Sequence, residues 1–399
     1  MIKDNIFSPL NILNFSSFLQ YQRFIMPISY LFYLHNGLTF SDFILFQSIF
    51  NITCLAAKIP MGFFGDIFPR KYLIILSYSM FTLRVLLWIL FNGFWVILAG
   101  EILYGLFKAL YRGNVDSYIY DLLKQNSKEK QMLHKYGSLT LYTSLGSAIS
   151  CFAGVIMYKY IGYKSILITE LFFQLMALGL LCFIPNIKVQ NAECKVKDEM
   201  SNIKNKLLDI IKNNNIRYYV YYSSVLIGLT SVLVWNFQPL LKSSNAPIIL
   251  FGAASFINQI FRALGGYFAN KIVFKYEKSL IGIEYFCVTL SLIMLITANY
   301  LKIYIFSFFA VFILSIAICL FVVFNIYTVS KIHTACQSSA RATTSSVNTF
   351  IGDFTAFLFL LAFKFLYDIF DLNIALFIFT IIVLVLLYPG FKKFLYKTV

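Results

Sequence analysis

The residues of this chain able to do chemistry are ionisable side chains set inside otherwise apolar stretches. They are Arg23, Arg84, Glu101, Lys108, Arg112, Asp116, Glu170, Arg262, Glu284 and Asp353. At mid-bilayer such a group costs about 2.5–3.5 kcal/mol on insertion scales, so it persists where it meets a cavity, a partner, or both. Two kinds of chemistry are open to it. An arginine or lysine can hold an anionic or acceptor-rich solute, and a buried carboxylate can load and release a proton. Glu101, Asp116 and Asp353 are the candidates for the proton, with Asp353 first because no cation lies within one helical turn of it. Glu101, Lys108, Arg112 and Asp116 are separated by seven, four and four residues and fall on roughly one helical face. That stripe is either a path for solute or an internal ladder of ion pairs holding helices together. Trp235, Asn236 and Gln238 offer a ring and two amides for substrate contact, as does Asn325. Trp235 serves equally well as an interfacial anchor.

The elements that carry these residues are apolar runs long enough to cross a bilayer. Of 399 residues, 60% are apolar and 13% charged, against roughly 45–50% and about 25% in soluble domains. A span needs about 20 mostly apolar residues. Runs of that kind lie near 11–34, 42–65, 72–92, 95–122, 136–159 and 164–184, then 217–241, 247–270, 279–299, 303–330, 343–367 and 372–390. The sequence therefore predicts an all-α integral membrane protein of twelve transmembrane helices arranged as two six-helix bundles. The bundles are residues 1–185 and 217–399, joined by a polar linker, 186–216. The first run is the most broken by polar side chains (Gln20, Gln22, Arg23), and the eleventh carries Asp353 and Lys364. Within the linker, Met200, Ile203, Leu207 and Ile211 recur at helical spacing among lysines, which suits a helix on the membrane surface or a flexible tether.

The net charge of +16 does not point to nucleic acid, because the cations fall mostly in short connectors between apolar runs. That is where the positive-inside rule puts them, and it places both termini on the cytoplasmic side. His35, His134 and His333 are far apart, and no nucleotide-binding string is present. These features argue against an enzyme and against an ATP-driven pump. Cys54, Cys151, Cys182, Cys287 and Cys319 lie in apolar runs, and Cys194 and Cys336 in polar segments, with no metal-like pairing.

The connector after the second run reads Pro60-Met61-Gly62-Phe63-Phe64-Gly65-Asp66-Ile67-Phe68-Pro69-Arg70-Lys71. It resembles the signature loop of the major facilitator superfamily, G-x-x-x-D-R-x-G-R-R/K, at Gly62, Asp66, Arg70 and Lys71. It departs from that pattern at Ile67, in place of a basic residue, and at Pro69, in place of a glycine. Gly62 and Gly65 let the helix end approach a neighbour closely. The resemblance implies that Asp66 faces the start of the eleventh helix near Arg341, and that Arg70 pairs with Asp121 at the end of the fourth. Gly266-Tyr267-Phe268-Ala269-Asn270 echoes Gly62–Asp66 at the corresponding place in the second half, as a parallel repeat of two six-helix halves would. The stretch Arg112–Asp121, Phe237-Gln238-Pro239 and Arg341-Ala342-Thr343 look similar to a bacterial, drug-efflux-like branch of that superfamily.

The resemblance implies alternating-access secondary transport in a bacterial cytoplasmic membrane. By analogy with the family, the first, fourth, seventh and tenth helices line the path, so Arg23 and the charged stripe of the fourth would share it. The partners expected are a small-molecule substrate, protons or another coupling ion, and membrane lipid. No nucleic acid, cofactor or metal is expected, and the chain is taken as a monomer. Two substrate classes compete. Proton-coupled efflux of amphipathic compounds follows from the aromatic content and the branch resembled. Movement of an organic anion or metabolite follows from the intramembrane arginines and lysines. The feature that separates them is whether Arg23 and Arg112 are neutralised by Glu101 and Asp116.

Overall fold

A computed structural model describes residues 8–125, 127–128, 131–187, 214–335 and 341–396. Its described elements are helical: α1 (Pro9–Gln20), a 3-10 turn (Met26–Ile28), α2 (Ser29–His35), α3 (Phe40–Ile67), α4 (Arg70–Leu90), α5 (Phe94–Gln125) and α6 (Met132–Leu181). They continue with α7 (Asn214–Ser243), α8 (Ile249–Leu301), α9 (Tyr304–Ala335), α10 (Arg341–Ile369) and α11 (Leu372–Tyr396). Eight of the described helical stretches are long and apolar enough to cross a membrane, and Tyr285–Leu301 is a shorter apolar helix.

Two pairs of runs that the sequence reads as separate spans each join into one helical element. In α6 the join is at Gly162, with φ 75° and ψ 177°; a residue without a Cβ takes that conformation at little cost, so the chain turns there. Element α8 holds 53 residues, or about 80 Å at 1.5 Å per residue, where a bilayer core is about 30 Å thick.

The first span differs from the continuous helix expected over 11–34. Ser8 caps α1, its Oγ accepting from the Asn11 N–H at 3.3 Å, and Pro9 occupies the first turn, where a missing N–H does no harm. The helix then stops at Gln20. Pro27 supplies a physical reason: it has no N–H to return to the carbonyl of Arg23, and its ring disfavours helical geometry in the residue before it. The Arg23 carbonyl instead accepts from the Met26 N–H at 3.2 Å. Between Gln20 and Ile25 the backbone is irregular, which lipid tolerates only when the freed polar groups are buried in protein.

The chain divides into two compact units. One comprises Met1–Thr39, Ile52–Glu193 and Phe251–Gln259; the other comprises Phe40–Asn51, Cys194–Leu250 and Ile260–Val399. Helix α3 thus contributes its first part to the second unit and the remainder to the first.

In the first unit α4 packs on α5, and α1 packs on α6. The α1–α6 seam is made by small residues one helical turn apart: Gly146, Ser150 and Gly154. A Cβ on Gly146 would lie 2.4 Å from the Phe18 carbonyl oxygen, and one on Gly154 would lie 2.1 Å from that of Phe24. Small residues at such a spacing let two backbones touch. Above the seam Tyr111 donates to Ser17 at 3.1 Å, and Ser17 shares a 3.1 Å hydrogen bond with Tyr78, tying α5, α1 and α4 together.

In the second unit α7 packs against α10, α9 and α11. Its interior is uncharged among the described residues. Asn236, Gln238, Ser223, Ser224, Thr230, Ser291 and Thr380 are buried there among Leu, Val and Phe.

Candidate functional site

The break in the first span is held by both halves of α6, before and after the turn at Gly162. Gln174 donates its side-chain amide to the Gln20 carbonyl at 3.0 Å, and Ser150 donates to the Tyr21 carbonyl at 3.4 Å. One turn before Gln174, the Glu170 carboxylate accepts the Ile25 N–H at 3.2 Å through Oε2. Glu170 and Gln174 are both fully buried. An i, i+4 pair on one helix therefore caps both ends of an interrupted helix, taking up groups that a helix terminus leaves without a partner.

Arg23 lies in this break and is 7% exposed. Its Nη1 donates to the Tyr104 hydroxyl at 2.6 Å. Its guanidinium stands 4.2 Å from the Tyr21 ring centre, 4.7 Å from Phe81, 5.0 Å from Tyr104 and 5.4 Å from Phe107. Ring faces are negative and attract the cation, but they accept no conventional hydrogen bond. Nε and Nη2 have no hydrogen-bond partner.

Arg84 of α4 has a different arrangement. Its Nη2 donates to Glu101 Oε1 at 2.7 Å in a buried ion pair, and its guanidinium lies 4.0 Å from the Trp88 ring centre. Tyr33 of α2 donates to the same carboxylate oxygen at 2.7 Å. Glu101 Oε2 and Glu170 Oε1 are without partners. The first unit thus buries two arginines and two glutamates close together on four segments of chain, all within its own core.

This geometry alters the expected grouping of the charged stripe. Glu101 is 1% exposed and turned into α4, because Arg84 and Tyr33 both bind it there. It does not share the face of α5 that carries Lys108 and Asp116, which are half-buried, and Tyr104 stands on that face in its stead. Lys108 and Asp116 both take part in side-chain interactions. Glu101 pairs with Arg84 and does not hydrogen-bond Arg23. The side chain of Arg112 lies outside the described ones.

Of the signature-loop residues, Arg70 donates through Nε to Asp121 Oδ2 at 2.9 Å, joining the start of α4 to the end of α5. Lys71 donates to the Cys182 carbonyl at 2.8 Å beyond the end of α6. Phe68 and Pro69 make the whole connector between α3 and α4. Pro69, φ −58° and ψ 130°, occupies the N-cap of α4, so the departure from glycine still gives a tight turn. The packing of Gly62, Gly65, Asp66 and Arg341 lies outside the described side chains, as do Glu284 and most of the 186–216 linker.

In the second unit Trp235 is half-buried and meets Phe43 edge-on at 5.9 Å. Asn236 donates to the Val232 carbonyl at 2.7 Å, leaving its Oδ1 without a partner. Gln238 is buried, and Asn325 is half-buried. Asp353 is half-buried on α10 and takes part in an interaction of its own. None of these joins a buried ionic cluster among the described residues.

Sequence reasoning missed the Glu170–Gln174 clamp and the Gly146-Ser150-Gly154 seam. Both leave a signal in the sequence, polar or small residues four apart inside an apolar run, of which the intramembrane charges include only Glu170.

Comparison with known proteins fits this architecture. A bacterial homolog of the human lysosomal transporter Spinster, in an inward-facing and unoccupied conformation, superposes with TM-score 0.74 at 13% identity, covering 97% of each chain. The nucleoside transporter NupG gives 0.75 at 13% identity over 98% of this chain and all of its own. A POT family transporter in complex with 5-aminolevulinic acid gives 0.78 at 11% identity, over 98% and 96%. A curated relative, the uncharacterized transporter BU466 of Buchnera aphidicola subsp. Acyrthosiphon pisum (strain APS), is 20% identical over 192 residues. The chain spans about half of that relative's length, 47%. The family model of the Major Facilitator Superfamily matches residues 10–360, so the chain belongs to the Major Facilitator Superfamily.

Proposed function

We propose that this protein is a secondary transporter, and not an enzyme, which moves a small solute bearing a carboxylate, phosphate or similar acceptor group by alternating access. One observation carries the reading. Arg23 is buried at a backbone break, makes a single hydrogen bond, and has two guanidinium nitrogens without a partner. A fixed planar donor fork suits an anionic oxygen pair. Tyr21 and Tyr104, whose rings flank its guanidinium, are both half-buried. The neighbours in the fold are a nucleoside transporter, a Spinster homolog and a POT family transporter in complex with 5-aminolevulinic acid, and so do not choose a substrate. The positive-inside bias favours both termini on the cytoplasmic side, the branch resembled favours a bacterial cytoplasmic membrane, and the Gly62–Lys71 loop suits a gate that opens and closes with the cycle.

The second reading, proton-coupled efflux of amphipathic compounds as in the drug-efflux-like branch, is favoured by the rings of Tyr21, Phe81, Tyr104 and Phe107 around Arg23. Those rings are drawn in by the cation itself, which makes them the weaker argument. Uptake into proteoliposomes under an imposed pH gradient separates the two. The expected result is accumulation of some carboxylates or phosphates from a panel, lost in Arg23→Gln, with amphipathic cations unmoved. Anion uptake that Arg23→Gln leaves intact overturns the first reading.

A further inference from the structure

We propose that Glu170 is the proton-carrying residue of this transporter, linked to anion occupancy at Arg23 through the backbone break that both side chains hold. The proposal rests on the Arg23 reading for its linkage, and on its own geometry for the proton.

Glu170 is fully buried on the second half of α6. One oxygen accepts the Ile25 N–H, and the other has no partner. The groups around it are few. The break presents Arg23, with Tyr21 beside it. Helix α4 presents Arg84, which is already bound to Glu101 of α5, with Tyr104 behind. The first half of α6 presents the Cys151 thiol. Helix α1 and the Met26–Ile28 turn carry no ionisable side chain. Neither Arg23 nor Arg84 hydrogen-bonds Glu170, so a vacant oxygen is open to a proton without breaking an ion pair.

The charges give the linkage its sign. With both glutamates ionised, two cations face two anions and the cluster is neutral. A proton on Glu170 leaves one net positive charge beside Arg23, whose two unpartnered nitrogens can then take an anion. Conversely, an anion on Arg23 favours the proton on Glu170. Linkage is reciprocal, so solute and proton travel together and the cluster ends each loading step neutral. Protonation also weakens the acceptor for the Ile25 N–H, which loosens the break when the site is loaded.

Two measurements on the full chain in nanodiscs test this. Amide hydrogen exchange across Gln20–Ile25, corrected for intrinsic rates, is expected to lose protection by about tenfold between pH 8 and pH 5.5. Glu170→Gln is expected to show the low protection at both, and Arg23→Gln to keep a pH response. Binding of lactate and of dimethyl phosphate, monoanions throughout that range, is expected to tighten about tenfold over it, within the usual span of coupling, and to lose its pH dependence in Glu170→Gln. If exchange behaves as expected but neither anion binds, the Arg23 reading fails and the proton role of Glu170 stands. If anions bind through Arg23 while Glu170→Gln keeps the wild-type pH response, the Glu170 proposal is overturned. Should Glu170→Gln not fold, a wild-type chain whose break shows no pH response overturns it alone.

Discussion

The two units are built from the same material and hold opposite interiors. The first buries Arg23, Arg84, Glu101 and Glu170. The second, among its described residues, buries serine, threonine and amide side chains and no charge at all. Most of the second unit's hydroxyls donate to the carbonyl three or four residues back on their own helix, as Ser224, Thr230 and Thr380 do. Such bonds settle a polar group without committing a neighbour. The first unit has such bonds too, at Ser77 and Thr82, but its buried charged groups reach across helices, from Glu170 to Ile25 and from Arg84 to Glu101. Similar folds can therefore divide their labour: one unit concentrates electrostatics, and the other supplies close packing.

The sharpest way to break that contrast is to remove one partner of the buried ion pair. Arg84→Met leaves Glu101 charged in a desolvated place, and losing one member of such a pair costs about 3–5 kcal/mol. The double variant Arg84→Met/Glu101→Met is expected to regain most of it. In the second unit Asn236→Leu removes a bond within its own helix, and an effect near 1 kcal/mol is expected. Unfolding midpoints of the purified protein in detergent check both. Equal losses in the two variants would sink the claim that the units differ in kind.

Glycines test the same contrast through shape. Gly154→Ala places a Cβ 2.1 Å from the Phe24 carbonyl oxygen, part of the backbone at the break. Relief requires α6 to move away from the first span, and overpacking of this kind costs about 1–3 kcal/mol. In the second unit Gly352→Ala meets the end of the Ile227 side chain, Cδ1 at 2.4 Å, which can rotate aside. It is expected to cost under about 1 kcal/mol. The same variants report on function: Gly154→Ala should impair transport out of proportion to its effect on stability, because Gly154 packs on the same backbone break that Glu170 and Gln174 hold.

How much of this could be read beforehand follows from what a linear pattern records. Apolar runs of about 20 residues fix where the chain crosses, so the helical class and the order of spans were legible. Arg23, Glu101 and Asp116 were visible as costly groups, and Arg70 was set opposite Asp121 by the resemblance of its loop. What hydropathy does not record is pairing. Glu101 was grouped with Lys108 by their spacing on α5, yet Arg84 reaches it across the turn between α4 and α5. Glu170 and Ile25 lie 145 residues apart, and nothing local announces their bond. The broken first span was veiled for a similar reason. An interrupted helix and a continuous one have the same mean hydropathy, and only Gln20, Gln22 and Pro27 hinted at the difference.

The smallest effects are expected where charge is present in both units but burial is not. Arg70 and Asp121 pair in the first unit with side chains 17% and 29% exposed. In the second, Asp368 accepts from Ser41 at 2.6 Å and pairs with Lys364 one turn before it. Exposed pairs of this kind contribute about 0–1 kcal/mol, and salt screens them. Arg70→Ala and Asp368→Asn should therefore lower the unfolding midpoint slightly and about equally, with both differences shrinking in high salt. The Arg84 defect should be insensitive to salt by comparison, since ions do not reach it. A salt-sensitive Arg84→Met, or a large loss in Asp368→Asn, would place the asymmetry in the number of charges. The expected pattern places it in their removal from water, the same condition that leaves Arg23 and Glu170 with unused hydrogen-bonding atoms.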